Sequence, residues 1–434
     1  VSSGTEAEAK KKRVLSGMRP TGKLHLGHYF GALSNWVKLQ EAYDCFFFVA
    51  DWHALTTHYE DTSSIAENTL QVAIDWLSVG LDPAKSTLFV QSQILEHAEL
   101  HVLLSMITPL SWLERVPTYK EQIENLKGRY LGTYGFLGYP VLQSADIVMY
   151  AEPSQDLLVP VGEDQAPHVE LTREIVRRFD SHYGFSVKED LFEPKAHESL
   201  AVIWQEFGEG MLFGGPTRGP LEAQLRARVR TELRRAAGEI GVRNFLERAG
   251  PNKRYFAFTD TLREPAYLPT ETPRLPGLDG RRMAKSYGNA IWLADPPDEI
   301  RTKVRNMMTD PQRIRRTDPG RPEICPVFAW HKLFSPPETI ATVDRDCRIA
   351  AIGCVDCKKQ MADNLIRWIE PVQAKRREFE AQPQRVWDIL DSGSNQARTA
   401  ARRTMKRVRE AIFQSEEARS QSGDPAVKQA PKAT

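Results

Sequence analysis

The sequence predicts an α/β protein: a Rossmann-type, doubly wound parallel sheet followed by an all-helical C-terminal region. Three observations predict it. Between residues 14 and 195, short apolar runs alternate with helical periodicities, the order that builds a parallel sheet with helices on both faces. One run, Cys45-Phe-Phe-Phe-Val-Ala50, is continuously apolar, as a strand buried on both faces must be. From about Pro297 onward the strand signals stop and the pattern turns helical.

Each element has its own reason. Residues 1–13 are polar and charged and read as a loose arm. Arg13 to Ser16 is a short strand, and a helical run follows from about Tyr29 to Tyr43. After the Cys45–Ala50 strand, Asp61 is placed to cap a helix carrying Ile65, Leu70, Ala73, Ile74 and Leu77. Leu88 to Gln91 is another buried strand, and a third helix runs from about Glu96 to Ile107. The last stretch, 416–434, is polar with Pro and Ser and is expected to be disordered.

Composition narrows the function classes. In 434 residues, 58 Lys plus Arg nearly cancel 57 Asp plus Glu, so no global field points to nucleic acid. There is no long apolar run for a membrane span and no apolar leader near the N-terminus, so a cytoplasmic protein is expected.

Two stretches carry chemistry. Pro20-Thr-Gly-Lys-Leu-His-Leu-Gly-His28 joins the first strand to the first helix. Gly27 lets a ligand lie against the backbone, and His25 and His28 offer donors where free N–H groups already favour an anion. Far downstream, Arg282-Met-Ala-Lys-Ser286 puts Lys285 on a loop after Pro276-Gly-Leu-Asp-Gly280, placed to reach a polyphosphate. A P-loop is the rival for the first stretch, but Leu24 stands where Ser or Thr must hold Mg²⁺, and Pro20 removes an N–H from the cradle. Taken alone, His25 and His28 could also simply cap a helix. Four of five cysteines, Cys325, Cys347, Cys354 and Cys357, fall in the helical region; on the residues alone, zinc and a 4Fe–4S cube are both satisfied. Cys45, in the apolar strand, reads as core.

The run Ser16-Gly-Met-Arg-Pro-Thr-Gly-Lys-Leu-His-Leu-Gly-His28, with Leu88-Phe-Val-Gln-Ser92, Trp112-Leu-Glu-Arg115, Val159-Pro-Val-Gly-Glu-Asp-Gln165, Arg282-Met-Ala-Lys-Ser286 and Thr309-Asp-Pro311, resembles the class I aminoacyl-tRNA synthetases, most closely those for tryptophan. The resemblance covers most of 13–195 and 267–415. It implies activation of L-tryptophan by ATP with Mg²⁺, transfer to tRNA(Trp), and a homodimer. It implies a catalytic domain of 14–195 with 267–296, and a helical anticodon-binding domain of 297–415, whose Arg313, Arg315, Arg316, Lys375, Arg376, Arg377, Arg402, Arg403, Lys406, Arg407 and Arg409 suit a phosphate backbone.

The same resemblance assigns roles. Lys285, His25 and His28 would be catalytic. ATP would meet Gly17, Arg19, Thr21, Gly22, His25, Gly27, His28, Gly162, Asp164, Gln165, Arg282, Met283, Lys285 and Ser286. Tryptophan would meet Leu15, Tyr139, Gln143, Asp146, Val159 and Val161, with Asp146 accepting the indole N–H. Tyrosine enzymes share a Tyr…Gln…Asp layout but often place a Tyr where Leu15 stands. Two departures occur in the second motif, which usually reads Lys-Met-Ser-Lys-Ser: Arg282 replaces a Lys and Ala284 a Ser. A synthetase-like paralogue that charges nothing is the alternative those departures suggest. The resemblance also favours a 4Fe–4S cluster at the four cysteines, because some bacterial tryptophan enzymes hold one on nearly the same spacing. Residues 196–266 lie outside the family pattern. There Leu221, Leu225, Val229, Leu233, Ala237 and Ile240 share one helical face, and many arginines surround it. A packed amphipathic helix and a tRNA- or partner-binding module are the two readings.

Overall fold

The computed structural model describes residues 11–116, 132–153, 155–162, 166–212, 221–269 and 275–413. Among them the strands are β1 (Arg13–Met18), β2 (Asp44–Val49), β3 (Ser86–Val90), β4 (Leu157–Val161), β5 (Phe185–Val187), β6 (Phe256–Phe258) and β7 (Ala266–Pro269). Five form one sheet in the order β3-β2-β1-β4-β7. β2 and β3 run parallel in register Cys45↔Ser86 through Val49↔Val90, and β1 runs parallel to β4 with Arg13 opposite Leu157. The order turns back at β1, so the loop leaving its carboxyl end lies where α/β sheets hold ligands. The doubly wound parallel sheet predicted from the sequence is therefore present.

The chain divides into two compact units: one from Ile94–Leu268 with the start of β1 and the residues from Asn395 on, the other from Gly17–Gln93 and Pro269–Ser394. In the second unit, Phe47 and Val49 of β2 and Phe89 of β3 are fully buried, as the unbroken apolar runs require. Trp36 stacks on Phe47 at 4.4 Å and meets Trp76 edge-on at 5.4 Å. Trp76 belongs to α1 (Ile65–Ser78), whose residue before the first turn is Ser64. Asp61 does not cap it; its carboxylate accepts from the Ser63 N–H and hydroxyl, making a turn of its own. The helix expected from Tyr29 begins as a short turn at Leu26–His28, widens to a π turn at Tyr29–Leu33 and becomes regular at Ser34–Ala42. Such wide turns collect at functional sites.

In the first unit, α2 (Tyr134–Met149) holds Tyr139, Gln143 and Asp146. The unexpected stretch contains His197–Phe207, α3 (Ala223–Ile240) and Val242–Ala249. Gly241, with φ +83°, makes the corner between the last two, a conformation that favours glycine. Val229, Leu233 and Ala237 of α3 are fully buried, in one core with Phe185, Phe192, Leu200, Ile203 and Phe245. The arginines around it are largely paired: Arg226 and Arg230 reach Glu189, Arg235 reaches Glu209, Glu232 and Glu239, Arg243 reaches Asp260, and Arg248 reaches Glu206.

The helical region carries the start signals its prolines supply. Pro297, Pro326 and Pro337 each occupy the first position of a helix, where the missing N–H costs nothing. Two long helices close it, α4 (Cys354–Glu380) and α5 (Pro383–Phe413). No helix among the described residues is long and apolar enough to cross a membrane.

Candidate active site

The two signature stretches meet within one unit. The backbone of Leu24–Leu26 lies against Ile291–Leu293: the Leu26 N–H donates to the Ile291 carbonyl at 2.9 Å, and the Leu293 N–H to that of Leu24 at 2.9 Å. The Gly27 N–H donates to Met283 Sδ at 3.3 Å, and Lys285 Nζ to the Thr21 carbonyl at 3.0 Å. The lysine thus rests on the turn at Gly22, which takes φ +107°. Gly17 has no room for a side chain, because a Cβ there would stand 2.5 Å from the Phe48 ring. Arg19 donates to the Thr57 hydroxyl at 2.5 Å.

His25 and His28 stack with ring centroids 3.7 Å apart. The His25 backbone N–H donates to His28 Nδ1 at 3.2 Å, so the neutral His28 ring carries its proton on Nε2. Burial lowers the His25 pKa to about 4. It lowers that of His28 to about 3, with repulsion from His25 and Arg282 adding to the effect. Both rings are neutral at pH 7. Gly27 is needed for this packing, since a Cβ there would stand 2.9 Å from His25 Cε1 and Nδ1.

The second stretch is organised by a residue the sequence reading did not single out. Asn289 Nδ2 donates to Asp279 at 2.7 Å and to the Arg282 carbonyl at 3.1 Å, while its oxygen accepts the Ala284 N–H at 2.9 Å. One amide therefore pins both sides of the loop and leaves Arg282, Lys285 and Ser286 exposed, with Met283 buried beneath. Its only sequence signal is a polar amide just after a glycine, which marks any turn.

The tryptophan-side residues stand in the other unit. Tyr139, Gln143 and Asp146 fall at i, i+4 and i+7 of α2 and so share one face. Leu15 and Val159 are buried, and Val161 and Gly162 partly so. Asp164 and Gln165 lie outside the described residues. Asp146, 1% exposed, has a partner the sequence did not reveal: His97 Nδ1 is 2.6 Å from its Oδ1, and His97 Nε2 is 2.6 Å from the Tyr150 hydroxyl. An ionised carboxylate only accepts, so Nδ1–H donates to Asp146, and Nε2 shares a second hydrogen bond with the Tyr150 hydroxyl. Burial raises the Tyr150 pKa well above its ordinary value, which keeps that hydroxyl protonated.

The four cysteines are neighbours in the helical region. Burial raises the thiol pKa of Cys325 and Cys347, and raises that of Cys357 to about 12, with a further push from the other three sulfurs. Arg313 donates to Cys347 Sγ at 3.6 Å, and His331 Nε2 lies 3.5 Å from Cys357 Sγ. Among the described residues no group of three or more His, Cys, Asp or Glu side chains is arranged to hold a metal ion. Several residues expected to face a phosphate backbone do not: Arg313 is buried and donates to the Arg316 and Ile352 carbonyls, and Arg376 is buried against Asp75. Arg402, Arg403, Arg407 and Arg409 pair with Glu96, Glu152 and Glu99.

The sheet, with a nucleotide-type loop after β1 and a lysine loop beside it, defines a class I aminoacyl-tRNA synthetase. The profile of the class I tRNA synthetases for tryptophan and tyrosine matches residues 7–201 and 243–370. A tryptophan–tRNA ligase of Ralstonia nicotianae is 47% identical, covering 92% of this chain and 98% of that protein. That of Thermotoga maritima is 42% identical, covering 92% and 98%. The structure of the Campylobacter jejuni tryptophanyl-tRNA synthetase complexed with ADP and tryptophan superposes with a TM-score of 0.67 at 26% identity, covering 92% of this chain and 99% of that one. The chain belongs to the class I tRNA synthetases for tryptophan and tyrosine, and within them to the tryptophan–tRNA ligases. The tyrosine alternative and the non-charging alternative both yield to that agreement.

Proposed function

We propose that the chain activates tryptophan by in-line attack of its carboxylate on the α-phosphate of MgATP, with His25, His28 and Lys285 as the groups that act on the phosphates. The observation that carries this reading is the meeting of both signature stretches at Gly27–Met283 and Thr21–Lys285. The neutral histidines donate N–H groups to phosphate oxygens, and Lys285 leaves the Thr21 carbonyl to neutralise the departing pyrophosphate. No enzyme nucleophile takes part. Gly17, Arg19, Thr21, Gly22, Gly27, Arg282, Met283 and Ser286 shape the ATP side, with Gly162, Asp164 and Gln165 on the adenosine or substrate side. Leu15, Val159 and Val161 wall the indole, Asp146 accepts its N–H, and Tyr139 and Gln143 hold the amino group. The test is tryptophan-dependent ATP–pyrophosphate exchange by His28→Ala, expected to show a raised KM for ATP. An unchanged value removes the histidine pair from ATP binding.

The α/β body, 14–195 with 267–296, is the catalytic domain in this reading, and 297–415 receives the anticodon. The paired arginines and shared core of 196–266 support a scaffold role there. Exposed Leu95, Met106 and Leu110 support a homodimer, to be checked by light scattering. An enzyme of translation works in the cytoplasm. A 4Fe–4S cluster at Cys325, Cys347, Cys354 and Cys357 is supported by the thiol donor set and by the mutual influence of the four sulfurs. When bound it would supply structural order to the first turns of α4, which bear Lys358 and Lys359. Arg313 would then donate to Cys347, and His331 would lie beside Cys357.

A further inference from the structure

Beyond the groups expected to touch ATP, one turn of a distant helix holds the first signature stretch, through Asp75, and the segment that follows the second. Asp75 of α1 is 0% exposed, and its Oδ2 accepts the Leu24 N–H at 2.8 Å. Its other oxygen is bound by Arg376 of α4, 2% exposed, whose guanidinium also reaches Gln71 and, at 3.0 Å, Glu380. One turn earlier on α4, Gln373 Nε2 donates to the Leu293 carbonyl at 3.1 Å and to that of Asp295 at 2.7 Å. Leu24 and Leu293 are bonded to each other, Leu24 precedes His25, and Ile291–Leu293 follows the Lys285 loop. Gln373 and Arg376 are three residues apart, so they project from the same side of α4. One helix face thus fixes both strands of the short ladder that carries the ATP-side groups, and neither side chain needs to meet ATP to do so.

We infer that Gln373 and Arg376, acting through Asp75 and the Leu293–Asp295 backbone, are positioning residues for the ATP step. The helical region contributes through them to nucleotide affinity. The inference rests on the assignment of ATP to His25 and His28. A buried guanidinium on a buried carboxylate fixes the position of a backbone amide more sharply than a water-exposed pair does, because solvent neither screens the pair nor competes for its hydrogen bonds. Gln373 adds two bonds to carbonyls on the neighbouring strand without any charge.

The test is pyrophosphate exchange by the full-length chain carrying Gln373→Ala, Arg376→Gln or Arg376→Lys, with thermal melting and His28→Ala measured beside them. The KM for ATP should rise about tenfold in Gln373→Ala and Arg376→Gln, on the scale of one coupled contact, while the KM for tryptophan stays within about twofold. Arg376→Lys, which keeps the charge, should recover part of the loss. If the Arg376 variants fail to fold, Gln373→Ala decides alone. A folded Gln373→Ala enzyme with unchanged KM for ATP overturns the inference. If His28→Ala in the same assay raises that KM, only the positioning role falls; if it does not, the ATP assignment falls as well.

Discussion

Lowering the pH should destabilise this protein through His25 by an amount that can be worked out. An unfolded histidine titrates near pH 6.5, while burial holds folded His25 at about 4. Between those values the unfolded chain binds the proton and the folded one does not. The stabilisation is therefore whole above about pH 6.5 and is lost as pH falls toward 4. From about pH 7.5 to about pH 5, one such group costs about 2 kcal/mol of folding free energy. His28 is lowered by the same cause, but the two rings are in contact, so their effects do not simply add. The measurement is urea unfolding at both pH values for the protein and for His25→Gln, which carries no titrating group. The difference in stability between the two proteins should change by about 2 kcal/mol across that interval. Equal pH dependence in both would mean His25 titrates normally in the folded state, and the neutral-imidazole account of the phosphate site would be wrong.

Three further outcomes are expected. Lys285→Ala removes one exposed contact to a carbonyl, so stability should hardly move, yet adenylate formation should slow by about 10² or more because the charge matters most on the leaving pyrophosphate; near-normal exchange would take Lys285 out of the mechanism. His97→Phe should take one buried hydrogen bond from the Asp146 carboxylate, raising the KM for tryptophan while leaving that for ATP unchanged; parallel changes in both would mark His97 as general scaffolding. Anaerobically purified protein should be brown with roughly four irons per chain, and Cys354→Ser should lose the colour and impair tRNA charging more than adenylate formation; colourless protein with one zinc per chain would give the site to zinc.

What the sequence disclosed was whatever is written locally. The apolar run at Cys45–Ala50 became β2, the alternation became a parallel sheet, and the helical face at Val229, Leu233 and Ala237 packed as its spacing required. The π turn at Tyr29–Leu33 and the Asp61 turn were missed because propensity does not distinguish a widened turn from a regular one, or a capping carboxylate from one that closes its own loop. The partners of site residues were invisible for a different reason. His97 lies 49 positions from Asp146, and Arg376 lies 301 from Asp75, so no local pattern links them. A basic residue in a helical run reads as surface until its carboxylate is found, and for that reason Arg313 and Arg376 were mistaken for phosphate contacts.

The central claim is that this chain makes tryptophanyl-adenylate with the site described. It is tested most directly by ATP–pyrophosphate exchange of the purified full-length protein against a panel of amino acids. Exchange should depend on tryptophan, with tyrosine and phenylalanine well below it and with loss of activity in Lys285→Ala. Exchange driven by tyrosine, or by no amino acid at all, would contradict it.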